Sequence, residues 1–181
     1  MVTAENVVDI YKILATNSIQ VWLTGGWGID ALLGKQSRPH KDLDVIMLLD
    51  DMVRMRELLS NDGYELGMFW SENKMVRDTN DNLTATAFVL KDAEGKEFDA
   101  HAITKDKQGN GIPAWEETED FIFKKEDLEG VGTVAGFSVR CITPESQLYC
   151  HSGYDLPERQ LKDLDLLCQK FNVDYPDRRK G

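Results

Sequence analysis

Cysteine and proline are scarce in this chain, with 3 and 5 copies among 181 residues. Cys141, Cys150 and Cys168 form an odd set without the close-paired spacing of a zinc site, which argues against a disulfide scaffold or a zinc module. They read as small buried thiols in a reducing compartment. Long apolar runs are also missing: nothing approaches the roughly 20 residues that cross a bilayer. The opening "MVTAENVVDIYKIL" is acidic and amphipathic, unlike a basic segment followed by an apolar one. No membrane association is expected, and the expected location is the cytoplasm. Positive charge is the third shortage. Lys and Arg number 21 against 32 Asp and Glu, a net charge of -11, which argues against nucleic acid as a partner because phosphate neutralisation needs clustered bases. A small ligand handled with the help of a polyvalent cation suits this balance better.

What is present is the composition of a soluble globular protein, 41% hydrophobic and 29% charged, long enough to bury one sizeable core. A single domain over 1–181 is expected, with a catalytic core over 1–142 and a C-terminal helical part over 143–181. After Thr3 as N-cap, residues 4–16 carry apolar positions at helical spacing. "IQVWLT" reads as a strand ending at Gly25 and Gly26, and "GWGIDALLG" as a short helix closed by Gly34. Asp42 to Leu49 reads as a strand, "DDMVRMRELLSND" as a helix and "YELGMFW" as the next strand. "TATAFVLKD" and "KEFDAHAI" flank a Gly-containing turn and predict a hairpin. Residues 104–120 read as a loop, "GTVAGFSVRCI" as a strand or hairpin, and "PESQLYCHSGYD" and "PERQLKDLDLLCQKF" as helices with Pro at the start. The order is mixed α/β, an α+β fold with a sheet flanked by helices.

The chemistry gathers on three aspartates. Side chains two apart on a strand share a face, so Asp42 and Asp44 point the same way, roughly 7 Å apart along the backbone. One reading puts them on a solvent face while Leu43, Val45 and Met47 face the core. The other puts a hard divalent cation beside them, since carboxylate oxygens suit magnesium and offset the mutual repulsion. Gly25 and Gly26 support the second, because they end a strand and open a helix, where unpaired N–H groups and the helix dipole favour phosphate. A third carboxylate, Asp99 in "KEFDAHAI", reaches the same place if its strand lies beside Asp42 to Leu49, and there it can bind the metal or take a proton. His101 would share the face of Asp99.

At these residues the sequence resembles the nucleotidyltransferase superfamily of DNA polymerase β, with its Gly-Gly turn, Asp-x-Asp and later third acid. The 15 residues between Gly26 and Asp42 slightly exceed the usual gap of that superfamily. With "GGWGID", "SRPHKDLDV", "FDAHAI" and "HSGYDL", the chain is similar to the small antibiotic nucleotidyltransferases, most closely those acting on lincosamides. Aminoglycoside 2''-nucleotidyltransferases share the glycine and aspartate motifs.

The resemblance implies a polymerase β-like fold and in-line transfer of a nucleoside monophosphate from an NTP, with ATP first, to a drug hydroxyl such as that of lincomycin or clindamycin. Gly25 and Gly26 would hold the triphosphate. Asp42 and Asp44 would bind Mg2+, and Asp99 would complete the metal site and deprotonate the hydroxyl. Arg38, His40 and Lys41, just before the metal strand, would face phosphate charge, and so would a basic residue of the last helix, Lys162 before Arg159. His101, Trp27, Trp70, Tyr149 and Tyr154 are candidates for the acceptor pocket, which in such proteins is mainly apolar. A homodimer would give so small an enzyme a second wall around its drug. Two alternatives stand beside this: an aminoglycoside acceptor, or an antitoxin-like module of the same fold that acts on or binds a protein partner.

Overall fold

A computed structural model describes residues 1–115, 121–152 and 156–175. The chain opens with α1 (Ala4–Thr16), whose N-terminus is closed by Thr3 and Asn6, each side chain bonding the other's backbone N–H. Val7, Val8, Ile10 and Leu14 bury one face of it. Then come β1 (Val21–Leu23), α2 (Gly25–Leu33) and β2 (Asp42–Leu48). Gly34 caps α2 in the left-handed conformation, φ 72°, as the "GWGIDALLG" pattern predicts. A short 3-10 turn leads into α3 (Met52–Asn61), which returns the chain to β3 (Glu65–Phe69).

The second half adds β4 (Met75–Arg77), β5 (Leu83–Ala85), β6 (Ala87–Lys91), β7 (Glu97–Lys105) and β8 (Gly111–Pro113). The hairpin β9 (Val131–Val134) and β10 (Phe137–Arg140) precedes α4 (Pro144–Cys150) and α5 (Glu158–Phe171). The main sheet runs β1-β2-β7-β6-β3, with β8 on the end of β7. Its β2–β7 pair is parallel and its other pairs are antiparallel.

Alternation on β2 and β7 decides what the two faces of the sheet do. Leu43, Val45, Met47, Phe98, Ala100 and Ala102 join the helices in one large core. The opposite face carries Asp42, Asp44 and Ile46 beside Asp99, His101 and Ile103, with Ile46 and Ile103 packed into a smaller cluster with Trp22, Phe123 and Leu128. Trp22 Nε1 donates to Leu128 O at 2.7 Å and ties that cluster to the sheet.

Three expectations need correction. "TATAFVLKD" is two strands, because the Asn73 side chain accepts from both Thr86 N and Ala87 N and breaks the ladder between β5 and β6. The 104–120 segment contains β8, paired with the end of β7. The helix expected over "PESQLYCHSGYD" stops at Cys150, where His151 caps it; residues 153–155 lie outside the described residues. Among the described residues no helix is long and apolar enough to cross a membrane.

The hairpin packs against α2 at close range. A Cβ at Gly132 in β9 would lie 2.4 Å from the backbone carbonyl of Ala31. Gly132→Ala is expected to cost about 1–3 kcal/mol through overpacking against rigid backbone, read as a lower urea midpoint with an unchanged slope.

Candidate active site

The cleft is built at the C-terminal end of β1, the start of α2 and the acidic face of β2 and β7. It encloses about 1090 Å³ and is lined by Thr24, Gly25, Gly26, Asp42 and Asp44 on one side and by aromatic residues on the other. Thr24 N donates to Asp44 O at 2.9 Å, which draws the glycine turn onto β2. Gly25 adopts φ 56°, and a Cβ there would stand 2.2 Å from Asp44 Oδ2. The position therefore needs glycine twice over, for its backbone conformation and for the carboxylate pressed against it. The first N–H groups of α2 have no partner within the helix and open on the cleft.

Asp44 pairs in register with Asp99 across the parallel ladder, and Asp42 shares their face. Burial at the cleft floor, then the charges of Asp42 and Asp99, push the Asp44 carboxyl well above the usual range, with Arg38 opposing. A carboxylate placed so gains from a cation, and the Asp42–Asp44 pair fits magnesium, which takes one or two carboxylates and fills its remaining positions with phosphate and water. Asp99 stands differently from the expected third ligand. Its Oδ1 accepts from Trp70 Nε1 at 2.9 Å and lies 3.3 Å from His101 Nδ1. Among the described residues no three His, Cys, Asp or Glu side chains gather closely enough to hold a metal ion.

Two buried carboxylates organise the basic loop before β2. Asp163 of α5 accepts from Arg38 Nε at 2.7 Å and from Ser37 Oγ at 2.9 Å. Asp30 of α2 accepts from Ser37 N at 2.9 Å and meets His40 Nε2 at 2.5 Å. His40, buried under Gly26, is thus engaged in holding the turn: a Cβ on Gly26 would strike its ring at 2.2 Å. Lys41 borders the cleft, and its Nζ pairs with Glu97 Oε2 at 2.7 Å. The bond to Glu97 raises the Lys41 pKa against a small effect of burial.

On α5 the ranking expected from the sequence reverses. Lys162 extends into solvent, 70% exposed, and pairs with Glu158 at 2.8 Å, whereas Arg159 lines the cleft. Trp27 does not reach the cleft: it is 1% exposed and packs on His40, ring centroids 5.0 Å apart. Tyr154 lies outside the described residues.

Trp70, His101 and Tyr149 do line the cleft, joined by Glu72, Trp115 and Phe121, which the sequence did not mark. Phe121 stacks on Tyr149 at 4.7 Å, and Trp115 meets His101 edge-on at 4.9 Å. Burial lowers the His101 pKa, but the hydrogen bond to Asp99 and the charges of Asp99 and Glu72 outweigh it, and the net shift is upward.

The Asp44 shift has a definite sign. Its folded-state pKa lies above the unfolded value, so its contribution to stability is full below the unfolded pKa and is lost as pH rises through the folded pKa. Asp44→Asn removes that loss. Metal-free Asp44→Asn protein is expected to melt above the wild type at pH 8, with the gap narrowing toward pH 5, as read by calorimetry with EDTA present.

Comparison with known proteins places this geometry. A family profile described as Aminoglycoside-2''-adenylyltransferase matches residues 6–167. The chain is 29% identical to a lincosamide resistance protein of Staphylococcus haemolyticus over 163 residues, 90% of this chain and 92% of that one. A shorter match, 46% over 39 residues, or 20% of this chain and 22% of the other, links it to a 2''-aminoglycoside nucleotidyltransferase of Escherichia coli. Among solved structures, that of the lincosamide antibiotic adenylyltransferase LnuA with lincomycin bound superposes with a TM-score of 0.74 at 27% identity, covering 92% of this chain and 96% of LnuA. The glycine turn, the paired strands and their aspartates thus stand on a nucleotidyltransferase fold, and the chain belongs to the aminoglycoside-2''-adenylyltransferase family.

Proposed function

We propose that this protein transfers a nucleoside monophosphate from ATP to a hydroxyl of a lincosamide such as lincomycin or clindamycin, and so acts in antibiotic resistance. The observation that carries the reaction type is the register of Asp44 with Asp99, which sets Asp99 on the same sheet face as Asp42 and Asp44, the two aspartates that line the cleft with Gly25 and Gly26. The acceptor rests on the likeness to a lincosamide resistance protein along nearly the whole chain, against an aminoglycoside match confined to 39 residues.

The residues divide the work. The N–H groups of Gly25 and Gly26 face the triphosphate. Magnesium, held by Asp42 and Asp44 together with phosphate oxygens, would neutralise the charge on the polyphosphate and make the α-phosphorus a better electrophile. Asp99 accepts the proton of the drug hydroxyl. The hydroxyl oxygen bonds to the α-phosphorus as the bond from that phosphorus to the bridging oxygen breaks. Pyrophosphate leaves, and the proton stays on Asp99 until it passes to solvent. Arg38, steadied by Asp163, and Arg159 lie where the departing negative charge develops, and cations there stabilise it. Trp70, Trp115, Phe121 and Tyr149 form the mainly apolar wall that a sugar-and-amide drug needs. The enzyme works in the cytoplasm, and a homodimer would supply the open side of the cleft with a further wall.

Lincomycin, ATP and Mg2+ incubated with the protein are expected to give pyrophosphate and a drug heavier by one adenylyl group, read by mass spectrometry. No adduct with any of the four NTPs would sink this reading; an adduct on kanamycin or tobramycin in its place would favour the aminoglycoside alternative. Asp42→Asn and Asp44→Asn are each expected to lower turnover by at least about a hundredfold in a folded protein. Arg159→Ala is expected to raise the KM for ATP about tenfold, a loss of roughly 1.4 kcal/mol, while Lys162→Ala stays within about twofold, since an exposed helix pair contributes little.

A further inference from the structure

We propose that Trp70 is a positioning residue for Asp99, holding one carboxylate oxygen so that the other faces the acceptor hydroxyl. This rests on the reading of Asp99 as proton acceptor. The indole reaches Asp99 by a definite route. Trp70 follows the last residue of β3, and its backbone N donates to Ala87 O at 3.2 Å on the neighbouring β6. β6 in turn pairs with β7, where Val89 stands opposite Asp99. The side chain therefore leans across β6 and delivers Nε1–H to Asp99 Oδ1 at 2.9 Å.

The chemistry of the two groups decides what the bond does. An indole N–H is a donor only and does not ionise near neutral pH, so Trp70 is no acid or base and no metal ligand. Its effect on a carboxylate is directional. His101 Nδ1 lies 3.3 Å from the same Oδ1, and its Nε2 lies 3.4 Å from Glu72 Oε1, which turns the imidazole toward Asp99. Glu72 is itself steadied by Ser71 Oγ at 3.0 Å. Among the described residues Oδ2 has no such partner. With Oδ1 occupied, rotation of the carboxylate is restrained, and Oδ2 is the oxygen left to receive a proton. A catalytic group kept in its productive rotamer by neighbours is worth far more than the same group left to rotate.

A tryptophan in a drug cleft could equally be no more than wall, and the two roles separate kinetically. A positioning bond acts on the chemical step; a wall acts on acceptor binding. Trp70→Phe keeps an aromatic ring and removes the N–H. Trp70→His restores a donor, since the imidazole Nε2 occupies the same place in its five-membered ring as the indole Nε1. Single-turnover rates with lincomycin are expected to fall about ten- to a hundredfold in Trp70→Phe, the worth of a hydrogen bond to a charged group, with the KM values for drug and ATP within about threefold. Trp70→His is expected to recover most of that rate.

A raised drug KM with an unchanged single-turnover rate would make Trp70 a wall and overturn the proposal. So would an unslowed Trp70→Phe, or a Trp70→His variant as slow as Trp70→Phe. Should the phenylalanine variant fail to fold, Trp70→Leu takes its place as the donor-free variant, with the same expected fall in single-turnover rate and the same recovery in Trp70→His. Asp99→Asn separates this from the parent reading. If that variant keeps its turnover, Asp99 is not the proton acceptor. If it is inactive while Trp70→Phe runs at full rate, only the positioning role fails.

Discussion

The parallel ladder between β2 and β7 is the constraint on which the site depends. It sets Asp44 beside Asp99, an arrangement that electrostatics alone opposes by about 3 kcal/mol for unit charges some 5 Å apart at an effective dielectric of 20. The other face of the same two strands supplies the counterweight. Leu43, Val45, Met47 and Phe98 are all buried to within 1% of fully, and each large apolar side chain contributes about 1.5–3 kcal/mol. A slip of one residue would turn that set toward the cleft and the acids into the core. Hydrophobic burial on one side thus enforces charge crowding on the other.

Acidic residues are plentiful here, and the fold divides them into two kinds. Asp30 and Asp163 are buried and saturated: each accepts from a side chain and a loop residue, and between them they shape the path from α2 to β2. Asp42 and Asp44 are left on the cleft with no basic residue bonded to them among the described residues. The first pair gives the loop one conformation; the second retains its need for an opposite charge. Arg38 joins the two groups, because the residue that Asp163 holds also borders the cleft.

The aspartates, the glycine turn and most elements were legible in the sequence because period-two alternation, capping residues and turn glycines are local signals. The parts missed are those assembled over distance. Trp115 and Phe121 come from a segment with no periodic pattern, and they meet Tyr149 and His101 only through the folded chain. Trp27 sits in a helix that is buried almost all round, where no polar face tells wall from core. Lys162 was a different kind of miss. Glu158 stands four residues before it, the spacing of a surface ion pair, and that pattern marks the face of α5 that looks away from the cleft. The α1 cap shows a finer limit: Thr3 was identifiable, but its reciprocal partner is Asn6, outside the usual Glu or Gln pairing.

One contact joins the last helix of the chain to α2. Lys170, in the last turn of α5, donates to Leu32 O at 2.9 Å and Leu33 O at 2.8 Å, terminal carbonyls at the foot of α2. The opposite end of α2 is the glycine turn. A cation at the negative pole of a helix is stabilising, so a residue of the last helix completes the end of α2. The helical part over 143–181 thereby closes a helix that begins at the glycine turn of the part over 1–142.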